Sequence, residues 1–461
     1  MSATAAPGLA AGLNPRTRRL LHDPILPTLL RLAWPNLLIM LAQASTGLIE
    51  TWWVSHLGTE ALAGMALVFP PVMLMQMVSA GAMGGGISSA VARALGAGRR
   101  EDADALVLHA VVINLGLGLV FSAVMLGFGR PIYRALGGEG GALEAALAYS
   151  NVVFLGNPLL WLMNGLASVI RGTGNMLVPA LVICAGVVLL VPLSPLLIFG
   201  LGPFPALGVA GGGTALVAFY VMGCVALGWY ILSGRNLAHL RAVPLRWPML
   251  REILRIGAVA AITSLQTNVT IALLTALVAD HAGLDAVAGF GTGARLEYLL
   301  VPLAFGLGAP LVALVGTNIG AGQRERALRI ALTGGAVAFA LTEAVGLAAA
   351  CFPGAWLALF SAEPGMIAAG SQYLRIVGPA YGFFGLGMAL YFASQGAGRL
   401  AWPLGAGFLR MLVAAGGGWL ALRLTGSLGG LFAAAAAALV LYGSLLALAV
   451  RGGAWFRRAR D

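Results

Sequence analysis

Residues 29–54 read LLRLAWPNLLIMLAQASTGLIETWWV, and how this stretch folds decides the architecture. Wound as an α-helix at 1.5 Å per residue, it reaches about 39 Å, against about 30 Å for the hydrocarbon core of a bilayer. Only Arg31 and Glu50 are charged, and Trp52 and Trp53 stand near one end, where aromatic rings favour a membrane interface. The stretch is predicted to be a membrane-spanning helix.

Working outward, comparable apolar runs recur at 61–88, 104–127, 145–170, 176–200, 207–232, 252–279, 286–316, 327–350, 366–394, 400–425 and 428–451. With the first they predict an all-α membrane protein of about twelve transmembrane helices. Composition agrees. Charged residues make up 9% of the chain, against about 25% in soluble domains, too few to cover a water-facing surface. The 66 glycines, costly in soluble helices, suit close helix packing in lipid. Pro70 and Pro71, in the second run, are expected to bend it.

Arginine separates the two sides. Arg16, Arg18, Arg19, Arg31, Arg93, Arg99, Arg100, Arg171, Arg235, Arg241, Arg246, Arg251, Arg324, Arg326, Arg329, Arg399, Arg451, Arg457, Arg458 and Arg460 all fall at termini or even-numbered connections. The opposite connections have little arginine, apart from Arg130 and Arg134. By the positive-inside rule both termini are expected to be cytoplasmic, in a bacterial inner (plasma) membrane. The net charge of +11 then marks loops, and no nucleic-acid partner is expected. No apolar segment with a cleavage site precedes the first run, so no signal peptide is expected. Cys184, Cys224 and Cys351 are too scattered for a disulfide framework or a metal site.

The chain repeats itself. His56-Leu57-Gly58-Thr59-Glu60 resembles His281-Ala282-Gly283-Leu284-Asp285. Gly96-Ala97-Gly98-Arg99 resembles Gly320-Ala321-Gly322-Gln323. Arg171-Gly172-Thr173-Gly174, with Pro179, resembles Gln395-Gly396-Ala397-Gly398, with Pro403. The pairs keep order and spacing, so two parallel six-helix repeats are expected, each entering from the same side. The expected divisions are an N-terminal tail 1–28, an N-terminal lobe 29–232, a basic linker 233–251, a C-terminal lobe 252–451 and a basic tail 452–461. Two bundles with a site at the repeat interface read as an alternating-access transporter.

Among intramembrane polar residues Glu50 stands out. Asn36, Gln43 and Glu50 are spaced by seven and share one helix face. A polar stripe with an acid faces the bundle interior, where desolvation disfavours the charged form, so Glu50 is the candidate cation-coupling carboxylate. A glutamate there also suits a structural tie to nearby donors, or snorkelling to the surface. Asn164 and Tyr220 in the N-terminal half, and Gln266, Asn268, Tyr381 and Tyr391 in the C-terminal half, are candidate cavity residues; such groups equally bridge helices. Arg295, Glu297, Glu343, Arg375 and Arg410 lie in apolar runs, and each needs a partner or water. Met73, Met75 and Met77 read as core filler. Gly84-Gly85-Gly86 has no Lys-Ser/Thr after it and is no phosphate loop. No nucleotide-binding, zinc or nucleophile motif is present, so no cofactor and no enzyme activity are expected, and active transport would draw on an ion gradient.

Over about residues 29–425 the chain resembles the multidrug and toxic compound extrusion (MATE) family, DinF-like branch, within the multidrug/oligosaccharidyl-lipid/polysaccharide flippase superfamily. Gly47-Leu48-Ile49-Glu50-Thr51 before His56-Leu57-Gly58, the Gly96 and Gly320 turns, Arg171-Gly172-Thr173-Gly174-Asn175 and Pro195-Leu196-Leu197-Ile198-Phe199-Gly200 carry the resemblance. It implies a monomeric exporter of amphiphilic, often cationic small molecules in exchange for protons or sodium. The family usually has Asp at the place of Glu50, and Asn and Asp where this chain has Leu190 and Ser194. The sodium-linked branch has a Glu in span seven, where Thr267-Asn268-Val269-Thr270 stands here. Gln43 and Asn164 match N-lobe cavity positions, and Ser194, which departs from the family's Asp, is placed with them as a candidate N-lobe cavity residue. One carboxylate among amides and hydroxyls suits a proton better than sodium. The alternative expectation is a lipid or glycolipid flippase of the same superfamily. A membrane-embedded enzyme is more remote, since His56, His109 and His281 form no catalytic cluster in the sequence.

Overall fold

The computed structural model describes residues 14–456, apart from the side chains of Tyr298 and Leu299. The first thirteen residues, and Arg457, Arg458 and Arg460 of the basic tail, lie outside the described residues. Helices α1 (Ile25–Ser55), α2 (Thr59–Gly96) and α3 (Arg100–Ala135) are followed by a bent span, α4, made of Gly140–Leu155 and Asn157–Gly172 at 46°. Then come α5 (Leu177–Phe199) and α6 (Val209–Leu232). A continuous helical stretch, Trp247–Gly320, holds two spans, because Gly283 (φ 74°, ψ −168°) breaks it. We label these α7 (247–282) and α8 (284–320). Helices α9 (Arg324–Cys351), α10 (Pro364–Gly396), α11 (Ala401–Thr425) and α12 (Leu428–Arg451) complete the set. The twelve expected spans of an all-α membrane protein are therefore present among the described residues. In lipid a helix satisfies every backbone group within itself, which is why these apolar runs take that form.

The helix ends reveal the duplication in geometry. Gly58 and Gly283, Gly98 and Gly322, Gly174 and Gly398, and Gly200 and Gly426 all have positive φ, in matching order. The second pair shows why glycine is needed. Arg99 N donates to Ala94 O and Gly98 N to Leu95 O; Gln323 N donates to Asn318 O and Gly322 N to Ile319 O. Each is a Schellman cap, whose left-handed residue costs a side chain about 1–2 kcal/mol.

The bend expected at Pro70 and Pro71 takes a particular form. Helix α2 carries both prolines and then widens into a π-helical turn over Met77–Met83 before Gly84 restores the α form. A second π-helical turn, Leu412–Gly417, interrupts α11. Such turns are uncommon and re-aim the side chains beside them.

The chain divides into two compact units, one of residues 14–18 and 34–258, the other of 19–33 and 259–456. The first packs its core around the buried indole of Trp161. The second packs around Tyr373, Tyr381 and Phe432. Residues 19–33 join the second unit because Asn318 donates to Leu20 O at 3.1 Å and Arg326 to Asp23 O.

The basic segment between α6 and α7 is fastened to the start of α3. His239 N donates to Asp104 Oδ1 at 2.8 Å, and Arg241 Nε lies 3.1 Å from Asp104 Oδ2. Arg246 N donates to His109 Nε2 at 2.8 Å, and its guanidinium pairs with Asp102 at 3.3 Å. His109 is thus a structural anchor. Arg130, an exception to the arginine asymmetry, pairs with Glu144 at 2.9 Å.

Asp104→Ala removes a buried acceptor and strands the amide of His239, a cost of about 1–3 kcal/mol. The expected result is a lower thermal midpoint in detergent and faster tryptic cleavage after Arg241 and Arg246. Unchanged stability and cleavage would contradict this fastening role.

Candidate functional site

The N-terminal unit holds one buried intramembrane acid in an unusual setting. Glu50 lies five residues before the end of α1, about 8 Å inside it. It is 1% exposed. The Ser194 hydroxyl stands beside the carboxyl, and the rings of Tyr149 and Tyr220 border it. Among the described residues, neither oxygen of Glu50 nor Ser194 Oγ completes a hydrogen bond. A buried carboxylate is ordinarily paired or held by several donors, and this one is not.

The helix that faces it explains how the carboxyl fits. Helix α6 begins Val209-Ala210-Gly211-Gly212-Gly213, and each glycine meets a different neighbour. A Cβ on Gly211 would lie 2.5 Å from Leu197 O on α5, and one on Gly213 3.1 Å from Tyr149 O on α4. A Cβ on Gly212 would lie 2.5 Å from Glu50 Oε2. Three helices thus crowd one turn of α6, and the missing side chain of Gly212 leaves the space the carboxyl occupies.

Of the predicted N-lobe residues, Glu50, Ser194 and Tyr220 come together. Asn36 is buried on the same helix, but fourteen residues away, about 21 Å along the axis. Gln43 is half-buried midway between them. Asn164 instead donates to Ser79 Oγ in the π-helical turn of α2, at 3.1 Å. Tyr149 and Gly212 were not singled out in the sequence. The run of three glycines at a helix start was the legible sign of close approach.

In the C-terminal unit, Gln266 is buried and lines a cavity with Arg410 and Tyr442. Asn268 is exposed and donates to Ser264 O of its own helix at 2.9 Å. Tyr381 is buried near Glu297, and Tyr391 packs against Phe392. The charged residues of the apolar runs now have surroundings. Glu297 accepts a hydrogen bond from Tyr373 and lies near Arg410. Glu343 accepts from Gly382 N at 2.7 Å. Arg375 is exposed, as is Arg295, which lies 6.0 Å over the Phe360 ring. Among the described residues Glu297 and Arg295 do not pair with each other, since residues two apart on a helix do not face each other. Among the described residues no three His, Cys, Asp or Glu side chains gather to hold a metal ion.

Gly212→Ala drives a methyl into the Glu50 carboxyl; on the sequence expectation of a transporter coupled through Glu50, transport is expected to fall at least about tenfold, in the range of a misplaced functional group. Gly116→Ala on α3, with nothing within 4 Å of the new carbon, serves as control. Transport assayed with membrane amounts equalised checks this; full activity in the Gly212 variant contradicts it.

Comparison with known proteins supplies the family. The MatE family profile matches residues 35–196 and 260–420, one match on each side of the linker. The chain is 29% identical over 380 residues to a FAD transporter of Shewanella oneidensis, covering 81% of this chain and 82% of that protein. It is 27% identical to the probable multidrug resistance protein NorM of Thermotoga maritima, covering 82% of this chain and 81% of that one. A crystal structure of MATE in a bent conformation superposes with a TM-score of 0.88 at 24% identity, over 96% of this chain and 98% of the other. The protein is a multi-pass membrane transporter by kinship and fold, and the chain belongs to the MatE family.

Proposed function

We propose that this protein exports amphiphilic small molecules in exchange for protons, with Glu50 as the group that takes up and returns the proton. The observation that carries this is the Glu50 carboxyl, buried at a crossing of four helices with no completed hydrogen bond among the described residues. An ionised carboxylate in such a place is costly. A proton neutralises it, and the new O–H can donate to the Ser194 hydroxyl. Protonation therefore changes both charge and bonding where α1, α4, α5 and α6 meet. A two-state bundle can convert that change into a change of access.

Protons are favoured over sodium because a sodium ion would seek several oxygen ligands, and one carboxyl and one hydroxyl stand here. The lobes 29–232 and 252–451, joined by the basic segment 233–251, would alternate as parallel repeats. The substrates named for relatives, FAD in one case and multiple drugs in others, support an amphiphilic cargo.

The test is uptake of ethidium and of FAD into inverted vesicles holding the purified protein, under a proton gradient and then a sodium gradient. Proton-driven uptake that falls to background in Glu50→Gln is expected. Full uptake by that variant would sink the proposal. Uptake under neither gradient, together with headgroup-dependent lipid scrambling, would replace it with a lipid or glycolipid flippase.

A further inference from the structure

The C-terminal unit encloses a cation and an acid that the proton-coupling role of Glu50 does not use. Arg410, on α11, is 8% exposed. A guanidinium cannot shed its charge inside a protein, so its burial carries a cost that partners must offset. Two aromatic faces offset part of it: the group lies 5.9 Å over the Phe384 ring and 5.5 Å over the Tyr442 ring. Among the described residues it completes no direct hydrogen bond and no direct ion pair. Glu297, on α8, accepts a hydrogen bond from the Tyr373 hydroxyl but makes no direct pair with Arg410 among the described residues.

Two small adjoining cavities fill the space between these groups. Thr263, Gln266 and Thr267 line the first, Glu297 and Tyr373 line the second, and Arg410 and Thr270 line both. The pair has room for about one to a few water molecules, and buried water is retained where a cavity is polar and offers it several partners. Both conditions are met. Gln266 Nε2 is a buried donor with no hydrogen-bond partner among the described residues. The hydroxyls of Thr263, Thr267 and Thr270 donate to carbonyls of their own helix at 3.0, 3.2 and 2.8 Å, so their oxygens remain free to accept. In the second cavity a guanidinium and a carboxyl share the walls. Donors and acceptors thus face the same small space without bonding one another directly. Water, which both donates and accepts, can join them; a metal cation there would meet the charge of Arg410.

We infer that ordered water fills both cavities and bridges the Glu297 carboxylate to the Arg410 guanidinium, giving the C-terminal unit a buried ion pair joined through water. A bridging water is nearly as favourable as a direct hydrogen bond. The carboxylate supplies the countercharge that Arg410 lacks, Tyr373 supplies one of its hydrogen bonds, and the threonine oxygens take up the rest of the network. The pair fastens α8 to α11. It stands apart from the export reading: Glu297 has its charge answered in place, and Glu50 does not.

The test is X-ray radiolytic labelling of the full-length protein in nanodiscs, in which water held beside a side chain yields hydroxyl radicals that oxidise it. Tyr373 and Tyr442 line the cavities, and Phe154 is comparably buried in the core of the first unit. After correction for the intrinsic reactivity of each ring, both tyrosines are expected to be modified severalfold faster than Phe154. Thermal unfolding tests the pairing. Glu297→Gln and Arg410→Gln should each lower the midpoint, and the double variant should fall by clearly less than the two losses added. Glu297→Gln combined with Arg375→Gln, at an exposed arginine outside both cavities, should show simple addition. Labelling of both tyrosines no faster than Phe154 removes the water, and additive losses for Glu297 and Arg410 remove the ion pair; either result overturns the inference. The labelling is read on the wild-type protein, so it decides even where a variant fails to fold.

Discussion

A polar group inside a bilayer must find its partner within the protein, and the rest of this structure follows from that constraint. Backbone amides meet it by winding into helices. At the helix ends, the capping turns close on glycines with positive φ, and the same turns recur in both halves. Side chains meet it by pairing across helices, as Asn164 does with Ser79 and Glu343 with the amide of Gly382. Some buried side chains do not meet it: the indole of Trp161, the phenols of Tyr133 and Tyr381 and the carboxyl of Glu50 complete no hydrogen bond among the described residues.

Of these groups Glu50 is the acid, and it can shed its charge by binding a proton. At Glu50 the unmet group is an acceptor, and its neighbours bring one hydroxyl, two phenol rings and a helix thinned to bare backbone at Gly212. A proton is the smallest species that settles it.

Much of the fold was legible in the sequence, because hydrophobic run length and glycine-marked turns are local signals. The twelve spans and the duplicated turns needed nothing from outside their own segments. Glu50 was legible for the same reason: an acid in an apolar helix is visible without knowing its neighbours. The remainder depends on contacts between distant segments. Gly84-Gly85-Gly86 and Gly211-Gly212-Gly213 read alike, yet only the second abuts the Glu50 carboxyl. Arg410 and Glu297 lie on different spans, and spacing along one helix cannot pair them. His109, Asp102 and Asp104 gain meaning only when the linker returns to α3.

The central claim is that a single carboxyl, Glu50, exchanges a proton as the transporter changes state. Substrate-induced proton release in weakly buffered detergent solution tests it most directly, with a pH-sensitive dye and the full-length protein. Wild-type protein should release protons in proportion to the substrate bound, and Glu50→Gln should bind substrate with no release. Equal release from both proteins, or none from the wild type at saturating substrate, would contradict the account.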